Sequence, residues 1–409
     1  MPPPAPARGG TFAALRHRDF RLYYVGQLLS LIGTWMQSTA QGWLVLNLTN
    51  STLKLGVVTA VASLPTFLFS LYAGALADRS DKRRIIVWAN VAALAAAVAL
   101  GVLTQTALVT YPVVLALAFL LGTSSAFEIP TRQSFFVELV GKDDLPNAIA
   151  LNSMQFNATR IVGPAIAGWM IGVAGTAACF FANGVSYVFV IASLLGMRLP
   201  PFRAPERRVG TLENIREGLA YIRSVRAVRA LVWLIAAMSV LGYPYVMLMP
   251  VFARDVLQVG ARGLGTLLGA TGFGALAGGL ALAALGGRFR RGRVMLVASL
   301  SFCVVLFCFA ASRSFPLSLG LLAVVAFTMV MNTANANALL QSVVPDHLRG
   351  RVMSVYVFMF VGTAPLGALQ AGAVSRWLGA PAALQIGAVV LAATLLVAAW
   401  RVPELRNAP

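Results

Sequence analysis

Apolar residues run along this chain in long unbroken stretches, broken at intervals by short polar or basic gaps. A helix crosses a bilayer with about 20 mostly apolar residues, and the stretches have that length. The pattern predicts twelve spans, at 21–47, 53–77, 84–106, 108–130, 147–172, 177–198, 228–252, 263–286, 293–312, 315–340, 352–374 and 380–401. Barrel strands would alternate apolar and polar positions, which these runs do not do. One connection is long: segment 199–227 carries Pro200, Pro201, Pro205 and many arginines. The expected fold is an all-α membrane protein of twelve transmembrane helices in two six-helix halves. Its parts are an N-terminal segment 1–20, a bundle 21–198, a linker 199–227, a second bundle 228–401 and a tail 402–409. Within the linker, Leu212, Ile215, Leu219, Ile222 and Val225 follow a three-or-four spacing. A surface helix at 211–225, capped by Thr211, is expected there and would lie along the membrane.

Composition narrows the class. Of 409 residues, 59% are hydrophobic and 11% charged, against about one half and one quarter in a soluble domain. An ordinary soluble enzyme is excluded. The net charge of +19 would suggest nucleic acid in a soluble chain, but the basic residues gather in the gaps between apolar runs. Placing the N-terminus in the cytoplasm puts 26 Lys and Arg on that side and five on the other, with Arg160 inside a span. The bias of basic residues towards cytoplasmic loops then predicts both termini in the cytoplasm. Cys179, Cys303 and Cys308 fall inside apolar runs and are expected as buried free thiols. The Pro-rich start lacks the pattern of a removable signal peptide.

The two sets of spans resemble each other. Gly74 to Arg84 and Leu285 to Arg293 are both Gly-containing basic connections, and Val140 to Asn147 matches Val344 to Arg351 at an offset of 204 positions. Six-span repeats are a transporter signature, with the substrate site between the halves near mid-membrane.

At these residues the chain resembles the major facilitator superfamily. Gly74-Ala-Leu-Ala-Asp78-Arg79-Ser-Asp81-Lys82-Arg83-Arg84 is similar to that superfamily's Gly-x-x-x-Asp-Arg-x-Gly-Arg-Arg loop, with Asp81 in place of the second glycine. Arg18 to Leu22, Phe127 to Gln133 and Ala148 to Gly168 resemble the subgroup of macrolide-efflux and enterobactin-exporter proteins. Gly163, Pro164 and Gly168 lie in a stretch similar to the superfamily's antiporter motif on span five. Gly163 and Gly168 permit close helix approach and Pro164 a kink.

The resemblance implies gating by the Gly74–Arg84 loop. Asp78, next to Arg79, would accept hydrogen bonds from the start of span eleven near Gly350 to Val352, latching the cytoplasmic side shut. Lys82 or Arg83 would pair with Glu128 at the foot of span four. Charges at the bilayer centre are costly and mark function, which singles out Glu128 and Arg160. For Arg160, a substrate or coupling role and a purely structural one weigh evenly. Spans one, four, seven and ten would line the path, as in the superfamily. Candidate substrate or coupling groups are Glu128, Arg160, Gln37, Gln41, Asn332, Asn335, Tyr243 and Gln370, while Tyr243, Tyr245, Met247 and Met249 offer a soft surface for bulky amphipathic ligands.

No phosphate loop, metal-spaced cluster or nucleophile with a base is present in the sequence, so no enzyme activity, catalytic residue, metal or cofactor is expected. The expected function is export of amphipathic small molecules of drug or siderophore type across the bacterial inner membrane by alternating access. The drive would be proton antiport, with Glu128 and then Asp78 as the titrating groups. A lipid or lysolipid translocator of the same fold is the second reading, and a non-transporting scaffold or sensor the third. The expected partners are the bilayer, the small substrate and protons, with no nucleic acid, and nothing demands more than a monomer.

Overall fold

The computed structural model describes residues 12–199, 211–285 and 290–404, and every regular element among them is helical. After a short 3-10 turn come α1 (Arg18–Thr49), α2 (Thr52–Arg79), α3 (Lys82–Gln105), α4 (Tyr111–Val140) and α5 (Leu145–Leu195). The linker carries α6 (Thr211–Ser224). Then follow α7 (Arg226–Ala237), α8 (Tyr245–Val251), α9 (Gly260–Leu285), α10 (Arg291–Ala311), α11 (Phe315–Val343), α12 (Asp346–Gly362) and α13 (Ala364–Arg401). Local chemistry sets several starts. Ser51 and Asp81 cap α2 and α3, accepting from the amides of Lys54 and Arg84. Proline stands in the first turn of α4, α5, α11 and α13, where its missing N–H costs nothing.

Two helices are longer than one membrane crossing. α5 runs for 51 residues and α13 for 38, each broken by one glycine in a backbone region that other residues rarely enter: Gly175 (φ 81°, ψ 175°) and Gly379 (φ 84°, ψ 158°). These glycines are 204 positions apart, the offset already seen between Val140 and Val344. Each folds its helix back as two limbs. Among the described residues, nine stretches are long and apolar enough to cross a membrane, and Leu145–Leu195 and Leu348–Arg401 each have the length for two passes. α1 is as long but carries Gln27, Gln37, Gln41 and Asn47.

Some boundaries move. α4 does not stop near 130 but continues to Val140, through Pro130. The expected span 352–374 is divided: α12 ends at Gly362, and α13 restarts after Thr363 with Pro365 in its first turn. A π-helical turn, Met238–Gly242, separates α7 from α8 just before Tyr243, and a second, Phe252–Val256, follows α8.

Large apolar side chains cover the outside, among them Trp88, Trp233, Phe273, Trp377 and Trp400. Exposure on this scale fits lipid rather than water. Cys308 belongs to that surface: it is exposed, whereas Cys179 and Cys303 are buried. The expectation of three buried thiols fails there because an apolar run in a bilayer has a lipid-facing side as well as a packed one.

The helices before the linker meet those after it along two seams. In one, Gly56 of α2 lies against Ala368 and Gly372 of α13, and the Thr52 hydroxyl donates to Gly372 O at 3.2 Å. In the other, Gly168 of α5 lies against Gly265 of α9: a Cβ on Gly168 would stand 2.7 Å from Gly265 Cα. Small residues permit this backbone approach, which in lipid is a main source of helix association. α2 and α12 also touch, through Phe67 and Phe358, whose ring centroids are 5.0 Å apart.

Candidate functional site

The helix turns sort the charges to two ends. At one end lie the connections near 50, 108, 175, 258, 313 and 379, and Tyr111 Oη donates to Lys54 O across it at 3.1 Å. At the other, arginine-rich end, His17 pairs with Asp144 at 2.8 Å, Lys82 with Glu138 at 2.5 Å, and Arg83 donates to Leu195 O at 2.8 Å.

Between the two groups of helices lies a cavity of about 430 Å³. Its first wall comes from α1, α2 and the first limb of α5, with Trp35, Ser38, Thr59, Phe156 and Arg160 among its residues. Its second wall comes from helices after the linker, with Ser239, Tyr243, Met247, Thr271 and Met329. Pro164 lines it as well. Trp35 and Phe156 pack edge to face, centroids 5.5 Å apart, and Tyr243 does the same with Phe360 at 5.2 Å. Ser239 donates to Phe360 O at 2.7 Å, fixing the π-turn that presents Tyr243. Mostly apolar walls with a few placed polar groups are the usual make-up of a small-molecule site.

Arg160 is half-buried on that surface. It stands midway between Leu145 and Gly175, about 22 Å from either end of the limb at 1.5 Å per residue. Towards the end holding Asn50 the two groups of helices meet at the two glycine seams and at Arg254. Arg254 donates from one guanidinium to Leu46 O at 3.0 Å and Asn50 Oδ1 at 2.5 Å, and pairs with Asp255 at 2.7 Å.

Glu128 does not pair with Lys82 or Arg83. Because α4 continues to Val140, Glu128 lies twelve residues before its end, about 18 Å deep. A lysine at the start of α3 reaches Glu138 instead. Glu128 faces Arg132, one turn on, with Oε1 and Nε 3.4 Å apart and both side chains largely buried. The sequence places Arg132 in a loop; the longer helix puts it inside the bundle. Neither of those two atoms has a hydrogen-bond partner among the described residues, nor have Arg132 Nη1 and the nearby Tyr23 hydroxyl. The Asp78 side chain lies outside the described residues. Arg79 is exposed, and Gly74 has open space where a Cβ would stand.

Other candidates serve the helix interior. Gln37 accepts from Asn183 Nδ2 at 2.6 Å, and Gly33 on the same face packs on Asn183. The cavity face of α1 is Trp35, Ser38, Thr39 and Gly42, so Gln41 does not line it. Asn335 donates to Met331 O at 2.7 Å within its own helix, and Asn332 borders a separate small void of about 20 Å³. Gln370 is half-buried on α13, away from the cavity lining. Gly163 packs on Ile32 and Trp35. The residues that sequence reading missed are Trp35, Phe156, Ser239 and Arg254. Their signal was faint: aromatic and hydroxyl residues in apolar runs, and one arginine at a helix end.

Residues 9–408 match the family described as transmembrane secretion effector. The chain belongs to that family, within the major facilitator superfamily. It is 25% identical over 352 residues to the staphyloferrin A transporter of Staphylococcus aureus, covering 85% of this chain and 87% of that protein. It is 29% identical over 349 residues to the multidrug efflux pump Tap of Mycolicibacterium fortuitum, covering 83% and 85%. It is 23% identical over 405 residues to the enterobactin exporter EntS of Escherichia coli, covering 96% and 94%. Among solved structures, a bacterial homolog of the human lysosomal transporter Spinster in an inward-facing, unoccupied conformation superposes with a TM-score of 0.72 at 14% identity, covering 96% and 97%. The nucleoside transporter NupG gives 0.70 at 10%, covering 96% and 100%. These structural likenesses establish the fold. This member of the transmembrane secretion effector family is a multi-pass membrane transporter, not an enzyme.

Proposed function

We propose that this transporter exports amphipathic small molecules by alternating access, driven by proton antiport. The observation that carries the reading is the cavity between the two helix groups, with its aromatic and thioether walls and Arg160 at mid-depth. Counting α1, and counting two passes each for 145–195 and for 348–401, the nine apolar stretches amount to twelve spans, six on either side of the linker. The arginine-rich end then faces the cytoplasm, with both termini, in the bacterial inner membrane. On that orientation the glycine seams and Arg254 shut the outer face, and substrate enters from the cytoplasm. For the cycle to run, those contacts release and the arginine-rich end closes, with Asp78 against the start of α12 as its latch.

Glu128 is the proton site of this reading. It is a buried acid whose ion pair with Arg132 lacks hydrogen-bond geometry. A charge so placed is costly unless well compensated. The test is export from proteoliposomes holding the purified chain. Transport should follow an imposed pH gradient, and Glu128→Gln should uncouple it from that gradient while downhill exchange continues. Equal pH response in both proteins removes Glu128 from the mechanism, and no movement of any amphipathic dye by wild type sinks the export reading.

A further inference from the structure

Resting on that reading, we infer that the cavity selects organic anions, with Arg160 holding the anionic group and Trp35 and Phe156 the apolar body. Arg160 is the charged residue on the cavity lining. Among the described residues it makes no hydrogen bond or ion pair, and no acidic side chain lines the cavity. The described acids in contact with a base are committed elsewhere: Asp19 to Arg18, Asp81 to Arg84, Glu128 to Arg132, Glu138 to Lys82, Asp144 to His17, Asp255 to Arg254 and Glu217 to Arg351.

A guanidinium near the bilayer centre is costly to insert, and such residues usually pair with an acid or with carbonyls. Here the protein supplies the cation and leaves its fork of donors to the cavity. That fork matches a carboxylate or other planar oxyanion bidentately, in the strongest class of hydrogen bond. Phe156 lies one helical turn before Arg160 on the same face and packs against Trp35. A ligand gripped at Arg160 therefore has an aromatic surface beside its anionic group. On the opposite wall Tyr243 and Met247 offer a hydroxyl and a thioether. A cationic amphipath would meet Arg160 with no carboxylate to offset the repulsion. The cavity thus favours anion over cation by repulsion as well as attraction.

Fluorescein and rhodamine 6G test this, because they share a xanthene frame and carry opposite charge. Binding by fluorescence polarisation, and efflux from proteoliposomes, are measured for wild type, Arg160→Gln and Arg160→Lys, with thermal unfolding as the check on folding. Wild type should prefer fluorescein. Arg160→Gln should lose about tenfold or more of that preference, with rhodamine 6G handled no worse, and Arg160→Lys should keep part of it. The wild-type dye ratio stands as a test even if Arg160→Gln fails to fold. A wild type that prefers rhodamine 6G or takes both equally, or a folded Arg160→Gln with the wild-type ratio, overturns the anion assignment and leaves the export reading standing. A wild type that neither binds nor moves either dye overturns both.

Discussion

Arg254 Nη2 stands 2.5 Å from Asn50 Oδ1, so a side chain from beyond the linker grips the end of the first long helix. Asn50 is suited to the contact. It ends α1 in a left-handed conformation (φ 47°, ψ 36°), which asparagine tolerates better than most residues, and turns its amide oxygen outward.

Arg254→Ala removes the Leu46 and Asn50 contacts together. Two charge-assisted bonds at a partly exposed site are worth about 1–2 kcal/mol. The state open at the Asn50 end should gain about 5–30-fold in population. The measurement is labelling of a Ser38→Cys reporter by a charged maleimide added from that side, in a background lacking the native cysteines. An unchanged rate would mean that Arg254 is no latch.

The Gly168–Gly265 seam predicts a steric block. A Cβ on Gly265 would stand 2.9 Å from both Gly168 Cα and Pro164 O, so Gly265→Val must push α5 and α9 apart. Transport should fall at least tenfold, and the Ser38→Cys reporter should label faster. Gly279→Ala is the control on the same helix. Nothing lies within 4 Å of its new methyl group, and both properties should stay at the wild-type level.

Breaking the Glu128–Arg132 pair from one side strands a buried charge. Arg132→Met should cost about 3–5 kcal/mol of stability, and the double variant with Glu128→Gln should recover most of it. Thermal unfolding in detergent checks this. If the double variant is no more stable than Arg132→Met alone, the coupling between the two side chains is not the source of the loss.

The helices were legible because lipid imposes one strict rule: long apolar runs with internally satisfied backbones. The faces of those helices were not. In water, an apolar stripe points to the core. In lipid both sides of a helix are apolar, and polar residues serve packing as readily as ligand binding. Gln37 illustrates this, since it lies a few positions from the cavity face of α1 yet bonds to Asn183. Arg160 could be placed at depth by counting along span five, whereas Trp35 and Phe156 gave no sign of their meeting. The depth of Glu128 was misjudged for a simpler cause. Pro130 reads as a helix end, but α4 passes through it, which moves Arg132 from the surface into the bundle.

The single-residue corners at Gly175 and Gly379 leave no slack between their limbs. Each pair of limbs must swing as one rigid hairpin, since there is no loop to stretch when a seam parts. The compliance needed for a change of shape has to reside elsewhere, and the π-turns before Tyr243 and around Arg254 are where regular helix geometry already yields.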